Sequence, residues 1–272
     1  MTGLAGAAGP TVTALPAGPR HLHAEHVWGT VVTLDLRGPE VDEAGRERID
    51  AAVRGTVAWL HHVDRVFSPF REDSEVCRVR RGELDTAPGG LASGDLREVV
   101  ARCRAAVAAT AGAYDPWALP QGFDPSGLVK GWAAQRAADL LVGYGFRHLK
   151  VDAGGDVVVR GGASPYRPWV LGIQHPQDAD AVVATVALDD GCVATSGRYQ
   201  RGDHVVDPLT GRPATAVQTA TVVGPDAGLA DALATGLLVA GRDGARWVSQ
   251  RPGWSAFVAA GGEAWSVGPA FG

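Results

Sequence analysis

A change of pattern near His148 constrains the fold most. Before it, apolar residues recur at three- and four-residue intervals over long stretches, the spacing of amphipathic helices. After it, the chain breaks into short β-rich runs closed by glycine turns, at 149–151, 156–159, 169–173, 182–188, 193–195, 205–206 and 219–223. Helices early, strands late and no regular βαβ alternation predict an α+β architecture, with helices packed on a mixed or antiparallel sheet.

In the helical half, Ile49, Val53, Val57, Leu60 and Val63 form one stripe and predict a long helix over 42–66. A polar stretch at 67–76, punctuated by Pro69, follows it. A second helix is expected over 96–110, with Asp95 and Glu98 as a capping-box variant and Gly112 as its stop. A third opens after Gly122-Phe-Asp-Pro-Ser-Gly-Leu-Val-Lys-Gly131, with Asp124 or Ser126 as its cap. Gly122 and Gly127 have the separation of a phosphate loop, but Leu128 and Val129 stand between the second glycine and Lys130, which excludes one. The helix start still favours an anion through its free amides and dipole. Upstream, 26–36 reads as one strand in which Gly29 marks a bulge or a close backbone approach. His23 and Glu25 would face one side of such a strand and His26 the other, so these three do not converge on a metal ion.

The run from Pro225 to Gly241 predicts one more helix, N-capped by Asp226. Leu229, Leu233, Leu237 and Ala240 make its apolar stripe, while Asp231 and Thr235 stack one turn apart on another face. Carboxylate and hydroxyl oxygens are hard ligands suited to a small divalent cation. The alternative is a threonine bonded back to its own helix beside a solvated aspartate. A short helix at 243–250 and strands at 255–259 and 264–267 complete the expectation.

A chain of 272 residues with 46% hydrophobic and 20% charged residues can bury a large core, which excludes disorder as its main state. Net charge of −5 and the absence of a basic run exclude a nucleic-acid footprint. Cys77, Cys103 and Cys192 lie far apart, which spells neither a zinc site nor a disulfide framework. Residues 1–22 are expected to form a flexible tail and 23–272 a single domain. Without a basic, then apolar, leader pattern or a spanning run, a cytoplasmic location is expected.

Several loops, taken in chain order, carry a resemblance. They are Trp28-Gly-Thr, Ser68-Pro-Phe-Arg-Glu-Asp-Ser-Glu75, Gly112-Ala-Tyr-Asp115, Asp124-Pro-Ser-Gly-Leu-Val-Lys-Gly131, Gly154-Gly-Asp156, Ala194-Thr-Ser-Gly197, His204-Val-Val-Asp-Pro-Leu-Thr-Gly211 and Ala230-Asp-Ala-Leu-Ala-Thr235. Together they resemble the ApbE family of FAD:protein FMN transferases, from about residue 26 to the C-terminus. The resemblance implies a T-fold-related α+β domain, FAD as donor and Mg2+ as cofactor. The reaction it implies moves FMN from FAD onto a Thr or Ser hydroxyl of an acceptor flavoprotein carrying a flavinylation motif, and releases AMP.

Carried over by position, the resemblance implies that Asp231, Thr235 and the Gly127 carbonyl hold the metal. It places Trp28, Phe70, Ala113, Tyr114, Asp115, Asp124, Lys130 and Val206 against the cofactor, and makes Asp231 and His204 the catalytic candidates. Imidazole titrates near neutrality, so His204 suits the proton of the attacking hydroxyl. Its alternative is a carbonyl partner before the Asp207-Pro208 turn. Trp28 and Phe70 stand where the family has Met and Tyr, and Pro125 where it has an aliphatic residue. Two other activities fit the same residues: hydrolysis of FAD to FMN and AMP, and non-catalytic FAD binding.

Overall fold

The computed structural model describes residues 19–38, 42–197, 205–260 and 262–271. Its first elements are β1 (Arg20–Val27) and β2 (Thr30–Arg37), followed by α1 (Glu43–Phe67), α2 (Glu75–Arg80), α3 (Gly94–Ala109) and α4 (Ser126–Gly143). Then come β3 (His148–Ala153), β4 (Val157–Arg160), β5 (Trp169–His175), β6 (Asp178–Leu188), β7 (Gly191–Gly197) and β8 (Thr219–Gly224). The last are α5 (Ala227–Ala240), α6 (Ala245–Ser249), β9 (Ser255–Ala260) and β10 (Glu263–Val267).

An eight-stranded sheet has the order β1-β2-β3-β4-β7-β8-β9-β10, and each neighbouring pair is antiparallel. One face is covered by α4, which lies on β3 and β4, and by α5, which lies on β7 and β8. Leu34, Leu149, Val151, Leu233 and Leu237 fill the space between. A second layer, α1 and α3, packs outside α4 around Val63, Leu96, Leu128 and Trp132. The β5–β6 hairpin covers part of the other face, with Ile173 and Val186 against Val193 and Val223. The α+β class with an antiparallel sheet is therefore the observed one.

Helix α5 lies between the sheet and the outer helices, so it is buried nearly all round instead of on one stripe. Its approach to α4 is set by glycine. A Cβ on Gly131 would lie 2.1 Å from the Ala227 carbonyl oxygen, and one on Gly228 would lie 3.2 Å from Trp132 Cβ. Two backbones that close leave no room for side chains at these positions.

Five local expectations are corrected. The stretch 26–36 is not one strand: β1 and β2 form a hairpin whose two-residue turn is Trp28-Gly29, with φ of 57° and 69°. Positive φ at both positions is the geometry that matches strand twist, and glycine supplies the second at no steric cost. β1 begins at Arg20, inside the segment expected to be tail. The cap of α3 is Ser93, whose hydroxyl accepts the Leu96 N–H, while Asp95 pairs with His62 at 2.8 Å. Helix α2 was not expected; Ser74 caps it by accepting the Cys77 N–H. At 205–206 the structure has a single bridge, Val206 to Pro213, and no strand.

Candidate functional site

Asp231 is 2% exposed, on the face of α5 that meets the start of α4. One turn later Thr235 shares a hydrogen bond of 3.1 Å with the Ser196 hydroxyl of β7. This side-chain partner replaces the back-bond to its own helix. Opposite stands Gly127, where a Cβ would be 3.1 Å from Thr235 Oγ1 and 3.2 Å from the Tyr114 ring. Its ψ of 20° departs from the helical value and turns its carbonyl plane away from the regular path of α4. A side chain at 127 would fill the small space beside the Thr235 hydroxyl, one helical turn from the buried Asp231 carboxylate.

Among the described residues no three His, Cys, Asp or Glu side chains converge as metal ligands. A cation here would draw on hard neutral oxygens beside the single carboxylate, a donor set that suits Mg2+ and leaves coordination positions for water or phosphate oxygen. Tyr114 closes the floor of the space, 4% exposed, its hydroxyl 3.5 Å from Cys103 Sγ. Burial, then the neighbouring Cys103, Asp231 and Asp124, push its pKa well above the usual phenol value. Burial likewise pushes the Cys103 thiol up to about 12. Both groups stay protonated near neutrality, so they act as packing and not as bases.

The opposite wall is open. The Trp28-Gly29 turn, the end of α1 and the loop to Phe70 line a cavity of about 150 Å3 with Ser126 and Lys130. Trp28 is fixed by its indole N–H, which donates to the Leu60 carbonyl at 3.2 Å. Phe70 is 92% exposed. Around the same turn a second cavity of about 470 Å3 shares Trp28, Gly29 and Asp64 with the first and adds His26 and His61. The second alone falls within the size range of small-molecule pockets. Lys130 pairs with Asp156 at 2.6 Å, and that carboxylate is 1% exposed.

Asp124 Oδ1 accepts the Ser126 N–H at 3.0 Å just ahead of α4, and its Oδ2 lies 3.1 Å from Arg80. Arg80 also donates to the Phe123 carbonyl at 2.8 Å and the Pro69 carbonyl at 3.3 Å. One guanidinium therefore ties the Phe70 loop to the Asp124 turn. Arg80, Ser196 and the pairing of Asp156 with Lys130 escaped sequence reasoning, because their partners lie tens of residues away. An aspartate directly after two glycines was the only local sign of the last.

The other expected residues fall at varied distances from this centre. Ala113 is buried beside Tyr114, whose N–H donates to Thr110 Oγ1. The Asp115 carboxylate accepts the Trp117 N–H at 2.8 Å and holds the turn. Val206 sits in its bridge to Pro213, and Asp207 forms the next turn by accepting from the Leu209 N–H and the Thr210 hydroxyl. His204 lies outside the described residues.

The profile of the ApbE family matches residues 119–258. A protein from Klebsiella pneumoniae (strain 342), described as "FAD:protein FMN transferase", is 35% identical over 151 residues, 52% of this chain and 43% of that one. One of the same description from Rhodobacter capsulatus is 32% identical over 204 residues, 71% of this chain and 35% of the other. The chain thus spans less than half the length of the curated relatives it matches. Among solved structures, "Flavin Transferase ApbE from Vibrio cholerae" superposes with a TM-score of 0.80 and 21% identity, over 93% of this chain and 98% of that one. At that identity the likeness shows the fold.

Proposed function

The chain belongs to the ApbE family, and from that premise we propose that it transfers the FMN moiety of FAD to a Thr or Ser hydroxyl of a protein acceptor. The observation that carries the reading is the close approach of Gly127, at the start of α4, to Thr235 on α5, one turn from the buried Asp231 and near the cavity of Trp28, Phe70 and Lys130.

Asp231, Thr235 and the Gly127 carbonyl would hold Mg2+, whose charge, when bound, offsets that of the FAD diphosphate. Trp28 and Phe70 offer ring surfaces for a planar heterocycle. Asp156 holds the Lys130 ammonium at the cavity rim, where it would face the FAD phosphates. His204 takes the proton of the acceptor hydroxyl. The freed oxygen bonds to the FMN-side phosphorus as the bond from that phosphorus to the AMP oxygen breaks. The products are a phosphodiester-linked flavin and AMP.

The test is mass spectrometry of candidate flavoproteins co-expressed with the enzyme, looking for covalent FMN on Thr or Ser. Asp231→Ala is expected to lower transfer by at least ~100-fold, the scale of lost stabilisation of developing charge. Full transfer by that variant sinks the reading. Rapid AMP release from FAD and Mg2+ without any acceptor replaces it with hydrolysis.

A further inference from the structure

The far end of the same elements holds a cavity of another character. Its volume is about 650 Å3, and it lies where β1 begins, β2 ends, α1 begins and α4 passes into β3. The Trp28-Gly29 turn is at the other end of β2, eight residues away, or about 26 Å at the rise of a strand. Helix α4, with 18 residues, separates Ser126 from the Gly145–His148 rim by a similar ~27 Å. The two cavities are therefore distinct sites on one molecule.

Five guanidiniums line the far cavity, those of Arg20, Arg37, Arg46, Arg48 and Arg147, against the carboxylates of Asp42 and Asp50. Behind the wall Asp35, 1% exposed, takes Arg20 and Arg37 at 2.8 and 2.7 Å. Asp42 is committed to capping α1. Among the described residues, even with Asp35 counted, cations exceed anions here, on a chain whose net charge is −5. The guanidinium of Arg48 sits 5.7 Å over the Phe146 ring. Arg46 and Arg147 have no side-chain hydrogen bond or ion pair to a described residue, and both are exposed at the mouth. Leu36 and Ile49 supply an apolar floor.

Guanidinium forks beside an aromatic ring over an apolar floor match a phosphate joined to a flat or apolar body. A volume of this order encloses such a molecule, while a lone inorganic ion would leave most of it to water. We infer that this cavity is a second binding site, for a small organic phosphate, and that Arg46 and Arg147 grip the phosphate while Phe146 and Ile49 contact the organic part.

The experiment is calorimetric titration of the full chain with phenyl phosphate, inorganic phosphate and a glutamate-rich peptide. Phenyl phosphate is expected to bind at least tenfold more tightly than inorganic phosphate. The double variant Arg46→Ala/Arg147→Ala should weaken it at least tenfold, and Lys130→Ala, in the other cavity, should leave it within twofold. Both arginines are exposed, so an unchanged melting temperature accompanies the double variant. The inference is overturned if phenyl phosphate fails to bind at millimolar concentration, if Lys130→Ala and not the arginine pair abolishes binding, or if only the acidic peptide responds to the arginine pair.

Discussion

The two walls of the candidate site are built on opposite principles. On the α5 side Asp231 is 2% exposed, and its helix touches α4 at a distance that only glycine permits; on the hairpin side Phe70 is 92% exposed and rests on almost nothing. Packing fixes the α5 side-chain oxygens in place, as charge placed to a fraction of an ångström would require. No packing holds the ring, which is free to follow a ligand's plane. Preorganisation is thus concentrated where electrostatics demand it, and adaptability where a stacking surface suffices.

Gly131→Ala strikes the rigid wall hardest. The added Cβ would meet the Ala227 carbonyl oxygen at 2.1 Å, and a backbone atom cannot rotate out of the way. The helices must separate, at a cost of about 3 kcal/mol, the upper range for overpacking. Urea unfolding measures it, and flavin transfer should fall in parallel because Gly127 moves away from Thr235. An alanine variant as stable as the parent would mean that the α4–α5 distance is not what fixes the site.

Arg80 joins the two walls, so its removal gives an intermediate effect. Arg80→Ala leaves Asp124, 13% exposed, without its cation and frees the carbonyls of Phe123 and Pro69. About 2 kcal/mol of stability should be lost, as for hydrogen bonds to a charged group. KM for FAD should rise more than kcat falls, because the Phe70 loop is released while the α5 donors stay. Loss of kcat alone would place Arg80 at the reacting phosphate instead.

What was legible in the sequence follows the same division. The helices α1 and α3 and most late strands could be read because burial repeats at fixed intervals along the chain, and α5, buried nearly all round, could be read from its apolar run and from Asp226, which caps it as a local pattern demands. The Asp231-Thr235 spacing was legible too, since one helical turn is a local fact. The hairpin at Trp28 was not, because tryptophan is an unusual occupant of a positive-φ turn position and hides the two-residue connection. Nor was the cap at Ser93, because Asp95 offers an equally good local signal until His62, brought by α1, claims it. Arg80 and Asp156 find their partners only through the fold: Asp124 lies on the loop before α4, and Lys130 belongs to another layer. Apart from the two glycines before Asp156, nothing within a few residues announces such pairs.

The smallest effect on stability and the sharpest view of the open wall come from Phe70→Ala. A ring 92% exposed contributes little to folding, so unfolding free energy should stay within about 0.5 kcal/mol of the parent. If the ring stacks on FAD, its loss removes about 1 kcal/mol of binding and raises KM about fivefold, with kcat unchanged. Phe70→Tyr, which keeps the ring, should restore KM. A marked fall in stability would show the ring packed on the protein. Unchanged KM would leave Trp28 as the stacking surface and make the cleft one-sided.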